Sequence, residues 1–165
     1  MPVQKTFGSP VLFPGMFASL GKKLLRITDI YTAGEQGLWL DIQNLANLYQ
    51  DAAGTTPAAV GSPVGLIIDK SGNDNHLSQA TSSQKPILRQ DGGGAYYLEF
   101  DGVDDLLSVT FAAALGDCTV VYAGPDELTT LALNVGTEFQ LHTGHCYGLL
   151  LIDRELTAAE LGSTL

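Results

Sequence analysis

Tyr147-Gly148-Leu149-Leu150-Leu151-Ile152 decides the fold. The residues follow one another almost without a polar interruption. A strand with one face in water alternates apolar and polar residues, whereas a continuous run of this length is covered on both faces. The run therefore predicts a central strand with packed material above and below it. Going back along the chain, 139–143, 129–135 and 118–123 carry short apolar or β-branched patterns bounded by turn residues, and read as the strands before it. Further strands are predicted over 106–111, 96–101, 86–90, 76–79, 63–69 and 37–42, with Gly92-Gly93-Gly94 separating two of them. Leu45, Leu48 and Tyr49 have helical spacing, so a turn or two of helix is expected within 41–50. Going forward, Thr157 stands three residues before Glu160, the capping-box spacing, and predicts a short C-terminal helix. Roughly ten short, evenly spaced strands with almost no helix predict an all-β domain, a β-sandwich or jelly roll. Its expected core includes Trp39, Leu66, Ile68, Leu98, Phe100, Val120, Leu149 and Leu151.

Composition agrees with this and excludes other classes. Of 165 residues 45% are hydrophobic and only 16% charged, which suits one domain with a real core and not a disordered tail or coiled coil. Nineteen glycines and seven prolines suit short strands and turns better than a helix bundle. Eighteen acids against eight bases give a formal charge of -10, a surface that repels nucleic-acid phosphates and anionic headgroups. No apolar run approaches the ~20 residues of a membrane span, and Met1-Pro2-Val3-Gln4-Lys5 has no signal-peptide character. Neither nucleic-acid binding nor membrane insertion is expected, and synthesis in a cytoplasm is.

The charge is unevenly placed. Residues 1–30 hold Lys5, Lys22, Lys23 and Arg26 against a single acid, Asp29, whereas from Asp91 onward twelve acids face one base, Arg154. The basic segment also holds Phe7, Leu12, Phe13, Met16, Phe17, Leu20, Leu24 and Leu25. An oily, basic stretch next to an acidic domain suggests a docking arm, because large exposed apolar patches favour association. The expected organisation is an N-terminal arm over 1–35 and a β-sandwich over 36–165. Phe13, Phe17, Lys22, Lys23 and Arg26 are the expected partner-binding residues.

Several groups of side chains could carry chemistry, and each has a plainer alternative. Glu99 and Asp101 stand two apart on a predicted strand, which turns both carboxylates to one face, as glycan hydrolases require. Gly102 follows at once, however, and Trp39 is the only tryptophan, so a turn stabilised by Asp101 and Asp104 is the favoured reading. Asp69, Ser71, Asn73 and Asn75 alternate like the start of a calcium loop, but Asp74 replaces its glycine and Ala80 its final glutamate. A turn held by side chains is expected there instead. His142, His145 and Cys146 offer zinc-type donors, yet adjacent strand residues face opposite sides and no Cys-x-x-Cys pair exists. Cys118 and Cys146 are read as free core thiols. With no Gly-x-Ser-x-Gly elbow and no phosphate loop, neither an enzyme nor a cofactor or metal is expected.

Taken together, a series of phrases resembles one family. They are 34–39 (Gly-Glu-Gln-Gly-Leu-Trp), 51–57 (Asp-Ala-Ala-Gly-Thr-Thr-Pro), 63–66, 69–76 (Asp-Lys-Ser-Gly-Asn-Asp-Asn-His), 79–81 and 97–105 (Tyr-Leu-Glu-Phe-Asp-Gly-Val-Asp-Asp), closed by 147–160. Their order and spacing resemble tail-fibre and virion structural proteins of tailed phages and prophages that carry a concanavalin A-like (laminin-G-like) jelly roll. The resemblance implies a virion protein, made in the bacterial host, whose domain serves assembly or contact with host-surface glycans. It implies as partners other copies of the chain, trimers being frequent in fibres, and neighbouring virion proteins. No binding residue is transferred, because the matching phrases are turns. The alternative carried with it is a carbohydrate-binding module without catalytic activity, with Tyr49, Tyr96, Tyr97, Tyr122, Phe139 and Tyr147 as candidate aromatic contacts.

Overall fold

The computed structural model describes residues 5–8, 30–31, 34–125, 127–142, 144–157 and 160, with 5–8 and 127–128 as backbone only. The chain is all-β. The described strands are β1 (Lys5–Gly8), β2 (Gly37–Leu40), β3 (Leu48–Tyr49), β4 (Leu66–Ile67), β5 (Leu77–Ser78), β6 (Ile87–Gln90), β7 (Tyr96–Glu99), β8 (Leu107–Ala123), β9 (Glu127–Leu141), β10 (His145–Cys146) and β11 (Gly148–Ile152). Every pairing between them is antiparallel. The larger sheet curls through β1-β9-β8-β5-β4-β3, with β11 and β2 branching from the far end of β8, and the smaller sheet is β10-β7-β6.

β11 is central, as its composition demands. It pairs with β2 on one side, Leu150 opposite Trp39, and with β8 on the other, Leu150 opposite Val121. All five of its residues are buried. Leu149 and Leu151 join the main core with Leu38, Leu40 and Val120. Leu150 and Ile152 point the other way, into a second cluster with Ile30, Val121 and Leu156. Two buried faces explain the missing alternation, and each such leucine contributes about 1.5–3 kcal/mol by burial. Gly37 is required beside this strand: it has φ +144°, and a Cβ there would collide with the Leu151 carbonyl.

β8 and β9 form one long hairpin where shorter strands are predicted. The pairing runs from Leu107 opposite Leu141 to Ala123 opposite Leu128, and only between Thr110 and Leu115 does the register shift. There β8 advances five residues while β9 advances two, from Glu138 to Gly136, so the Ala112-Ala113-Ala114 stretch is absorbed as an irregular bulge. The helix expected within 41–50 shrinks to a 3-10 turn at Leu45–Asn47, because Asn44 caps it by accepting from the Ala46 amide and Leu48 already enters β3.

The smaller sheet sends Leu88, Leu98 and Cys146 into the same core as the larger one, all three fully buried. Of the expected core residues, Leu66, Leu98, Phe100, Val120, Leu149 and Leu151 are buried, whereas Trp39 and Ile68 are half-buried. Trp39 lies on the outward face of β2, against the second cluster.

At the N-terminal end, parts of the segment 1–35 meet the sheets. β1 adds to the edge of β9, Lys5 opposite Thr130 and Gly8 opposite Glu127. Ile30 is buried in the second cluster, and the Tyr31 hydroxyl donates to the Leu38 and Leu151 carbonyls. Residues 5–8, 30, 31 and 35 of the segment 1–35 thus contact the body, Ile30 by covering the outward face of β11. Phe13, Phe17, Lys22, Lys23 and Arg26 lie outside the described residues. At the other end the capping box is formed: the Glu160 amide donates to Thr157 Oγ1 at 3.3 Å and the Thr157 amide to Glu160 Oε2 at 2.8 Å. The helix it would start falls outside the described residues.

Candidate functional site

Three of the phrases that carry the resemblance, 51–57, 69–76 and 97–105, hold turns built on an aspartate. Asp69, 5% exposed, accepts from the Trp39 and Ser71 amides through Oδ1, both at 2.8 Å, and from the Asn75 amide through Oδ2 at 3.0 Å. Asn73 and Asn75 then donate to the Gly37 carbonyl, tying this turn to β2. Asp51 collects the Ala53, Thr55 and Thr56 amides, and its bonds to Thr55, the largest, and Thr56 hold its carboxyl far below the usual range. Asp101 Oδ1 accepts from the Val103, Asp104 and Asp105 amides, with the Val103 bond first in lowering its pKa.

Glu99 and Asp101 do not form the row that spacing alone suggests. β7 ends at Glu99, Asp101 turns inward on its own loop, and Glu99 pairs with Arg89. Asp101, Asp104 and Asp105 bring one carboxylate oxygen each within 4.8 Å of one another. A cation there would compete with backbone amides, since Asp101 uses Oδ1 as described and Asp105 Oδ2 accepts from the Asp101 amide at 3.0 Å. Burial raises the Asp105 pKa, which further disfavours the charged form a cation needs. His145 and Cys146 part to opposite faces of β10, Cys146 into the core and His145 outward. Cys118 and Cys146 are free thiols, each pushed up to about 12 chiefly by burial.

The most developed surface is the outward face of the small sheet. Because Leu88, Leu98 and Cys146 point inward, their neighbours Arg89, Tyr97, Glu99 and His145 point out. The register sets Arg89 opposite Tyr97, and His145 opposite Glu99. Arg89 Nε lies 2.7 Å from Glu99 Oε2, and His145 Nε2 lies 3.9 Å from the other oxygen, Oε1. The Tyr97 ring is stacked with Tyr147 at 5.0 Å and 24°, and meets the His145 imidazole at 4.8 Å and 40°.

This face is fixed from beneath. Gln43 Nε2 donates to the Tyr96 carbonyl at 2.7 Å and the Tyr147 carbonyl at 3.1 Å, while its Oε1 accepts from the Tyr96 amide at 3.0 Å. The Tyr122 hydroxyl, reaching from β8, donates to the His145 carbonyl at 2.9 Å. Rings and charges are thus held by a loop and a strand of the larger sheet, the preorganisation a binding surface needs. Of the candidate aromatics, the structure brings Tyr97 and Tyr147 together, whereas Tyr96, Tyr122 and Phe139 pack against the core. Arg89 is not among the sequence candidates. Folding 86–90 against 96–101 around the glycine run as a hairpin would have set it beside Tyr97.

Fold and face together define an antiparallel all-β domain with a rigid aromatic surface. Comparison with family models, curated proteins and solved structures gives no match.

Proposed function

We propose that the chain is a structural virion protein of a tailed phage, part of a tail fibre, baseplate or other peripheral appendage, and that its β domain is a concanavalin A-like β-sandwich displayed for assembly and host-surface attachment. The observation that carries this reading is the use made of the family-like phrases. The Asp51, Asp69 and Asp101 carboxylates are all engaged by turn amides, so these phrases serve architecture. Both sheets feed one core, the arrangement a sandwich requires. In this reading the basic N-terminal segment, with Phe13, Phe17, Lys22, Lys23 and Arg26, docks on other copies or on neighbouring virion proteins, and no catalysis is involved. Mass spectrometry of gradient-purified particles tests it: the protein should co-purify with tail components, and its confinement to the soluble lysate would contradict the proposal.

A second reading, a carbohydrate-binding module without catalytic activity, is favoured by the stacked Tyr97 and Tyr147 rings beside the Arg89–Glu99 pair. It is compatible with a place in the virion but does not need one.

A further inference from the structure

We propose that the outward face of β6, β7 and β10 is a sugar-binding site, with Tyr97 as stacking platform, Arg89 and Glu99 as the hydrogen-bonding fork, and an uncharged pyranose as the ligand. The proposal deepens the second reading above and depends on it.

The outer face of an antiparallel sheet is ordinarily a scatter of polar residues. Here Tyr97 meets the His145 imidazole and stacks on Tyr147, which is itself buried beneath the face. Tyr97 is half-buried, so the residue keeps a share of its surface in solvent. The C–H face of a pyranose is flat, apolar and matched in size to such a ring. The polar tips beside it stay accessible: the Arg89, Glu99 and His145 side chains are 45%, 37% and 43% exposed.

The ion pair sets the ligand's chemistry. Arg89 is donor-only and Glu99, ionised, is acceptor-only, yet at 2.7 Å they stand side by side. A vicinal diol fits both at once, one hydroxyl donating to Glu99 and its neighbour accepting from Arg89. Because each charge cancels the other, the fork offers no net attraction to a charged sugar. The wider field selects further: Asp101, Asp104 and Asp105 follow directly after β7, and the chain carries -10 overall. Sialylated, sulfated or phosphorylated groups are therefore repelled, and neutral hexoses are selected.

Gln43 is a positioning residue. Its side-chain amide bonds the backbone of Tyr96 and Tyr147, and so sets the level of the rings.

Saturation-transfer NMR on the full chain tests the site, using methyl glucopyranoside, galactopyranoside and mannopyranoside, with N-acetylneuraminic acid as the charged probe. At least one neutral glycoside should receive saturation, strongest at the ring protons that face Tyr97, and N-acetylneuraminic acid should receive none. Tyr97→Ala should weaken binding about tenfold or more, the effect of losing an aromatic contact worth roughly 1.4 kcal/mol. Tyr97→Phe should retain it, and Arg89→Met, a change at an exposed side chain, should weaken it with unaltered thermal unfolding. Saturation of no neutral glycoside, binding of the charged sugar alone, or binding that survives both Tyr97→Ala and Arg89→Met would overturn the proposal. Particle assembly is read separately. Normal incorporation into virions without sugar binding removes this site and leaves the virion reading standing, whereas sugar binding by a protein absent from particles does the reverse.

Discussion

Replacing Asp69 tests the claim that the family-like phrases are architecture. The carboxylate is 5% exposed and accepts three backbone N–H groups, from Trp39, Ser71 and Asn75, together with the Ser71 hydroxyl at 2.7 Å. Asp69→Ala leaves all three amides without that partner. Each buried orphan costs about 1–3 kcal/mol, and because the turn borders solvent the low end applies, giving a loss of about 3 kcal/mol. For a domain of this size that is a fall in Tm of roughly 6–12 °C. Asp69→Asn is milder by a calculable margin. Its oxygen can take the Oδ1 position and keep the Trp39 and Ser71 amides, while at the Oδ2 position the Ser71 hydroxyl can turn to accept from the new NH2, so the Asn75 amide is the one orphaned, about 1 kcal/mol. Urea unfolding followed by the fluorescence of Trp39, the single tryptophan, measures both. An alanine variant within about 0.5 kcal/mol of the parent, the scale of an ordinary surface change, would refute the reasoning, as would an asparagine variant as damaged as the alanine one.

Further outcomes follow from the packing and the charges. Leu150→Ala and Leu151→Ala should both cost about 2–5 kcal/mol, because β11 is buried on two faces, whereas Leu133→Ala, at a site 37% exposed, should cost about 0.5 kcal/mol in the same urea assay. Arg154 lowers the Glu160 carboxyl from 4.5 to about 2, so the contribution of this pair is complete near neutrality and fades as pH falls toward 2. The stability gap between the parent and Glu160→Gln should therefore be about 1 kcal/mol at pH 7 and vanish near pH 2 in parallel urea titrations. Cys118 and Cys146, with thiols raised to about 12, should resist iodoacetamide at pH 8 in the folded chain and both react in denaturant, with mass spectrometry as the readout.

What was legible in the sequence is what local chemistry determines. The uninterrupted run at 147–152 announced a strand covered twice, and Thr157 with Glu160 announced a capping box whose reciprocal bonds are present. The turns at Asp69 and Asp101 were legible because an aspartate carboxylate bonds the backbone amides that follow it. Non-local effects were not. Ala112-Ala113-Ala114 and Gly136 look like breaks between strands, and only the pairing partner shows that β8 takes them up as a bulge and continues. Trp39 looked like core because it is the largest apolar side chain on its strand. Its parity on β2 instead places it outward, where Leu150 and Val121 form a second cluster. The aromatic face escaped for the same reason. Tyr97, Glu99 and His145 were visible one at a time, but their grouping with Arg89 depends on register between β6, β7 and β10, and their rigidity on Gln43, more than fifty residues earlier.

The most direct test of the account is immunogold electron microscopy of intact phage particles, using antibody raised against the folded chain and selected to lose binding with Arg89→Met. The account predicts gold at the particle periphery, on tail fibre, baseplate or another appendage, with the Arg89–Tyr97 face reachable by antibody. Particles that stay unlabelled both intact and after disruption, while the protein is detected free in the lysate, would contradict it.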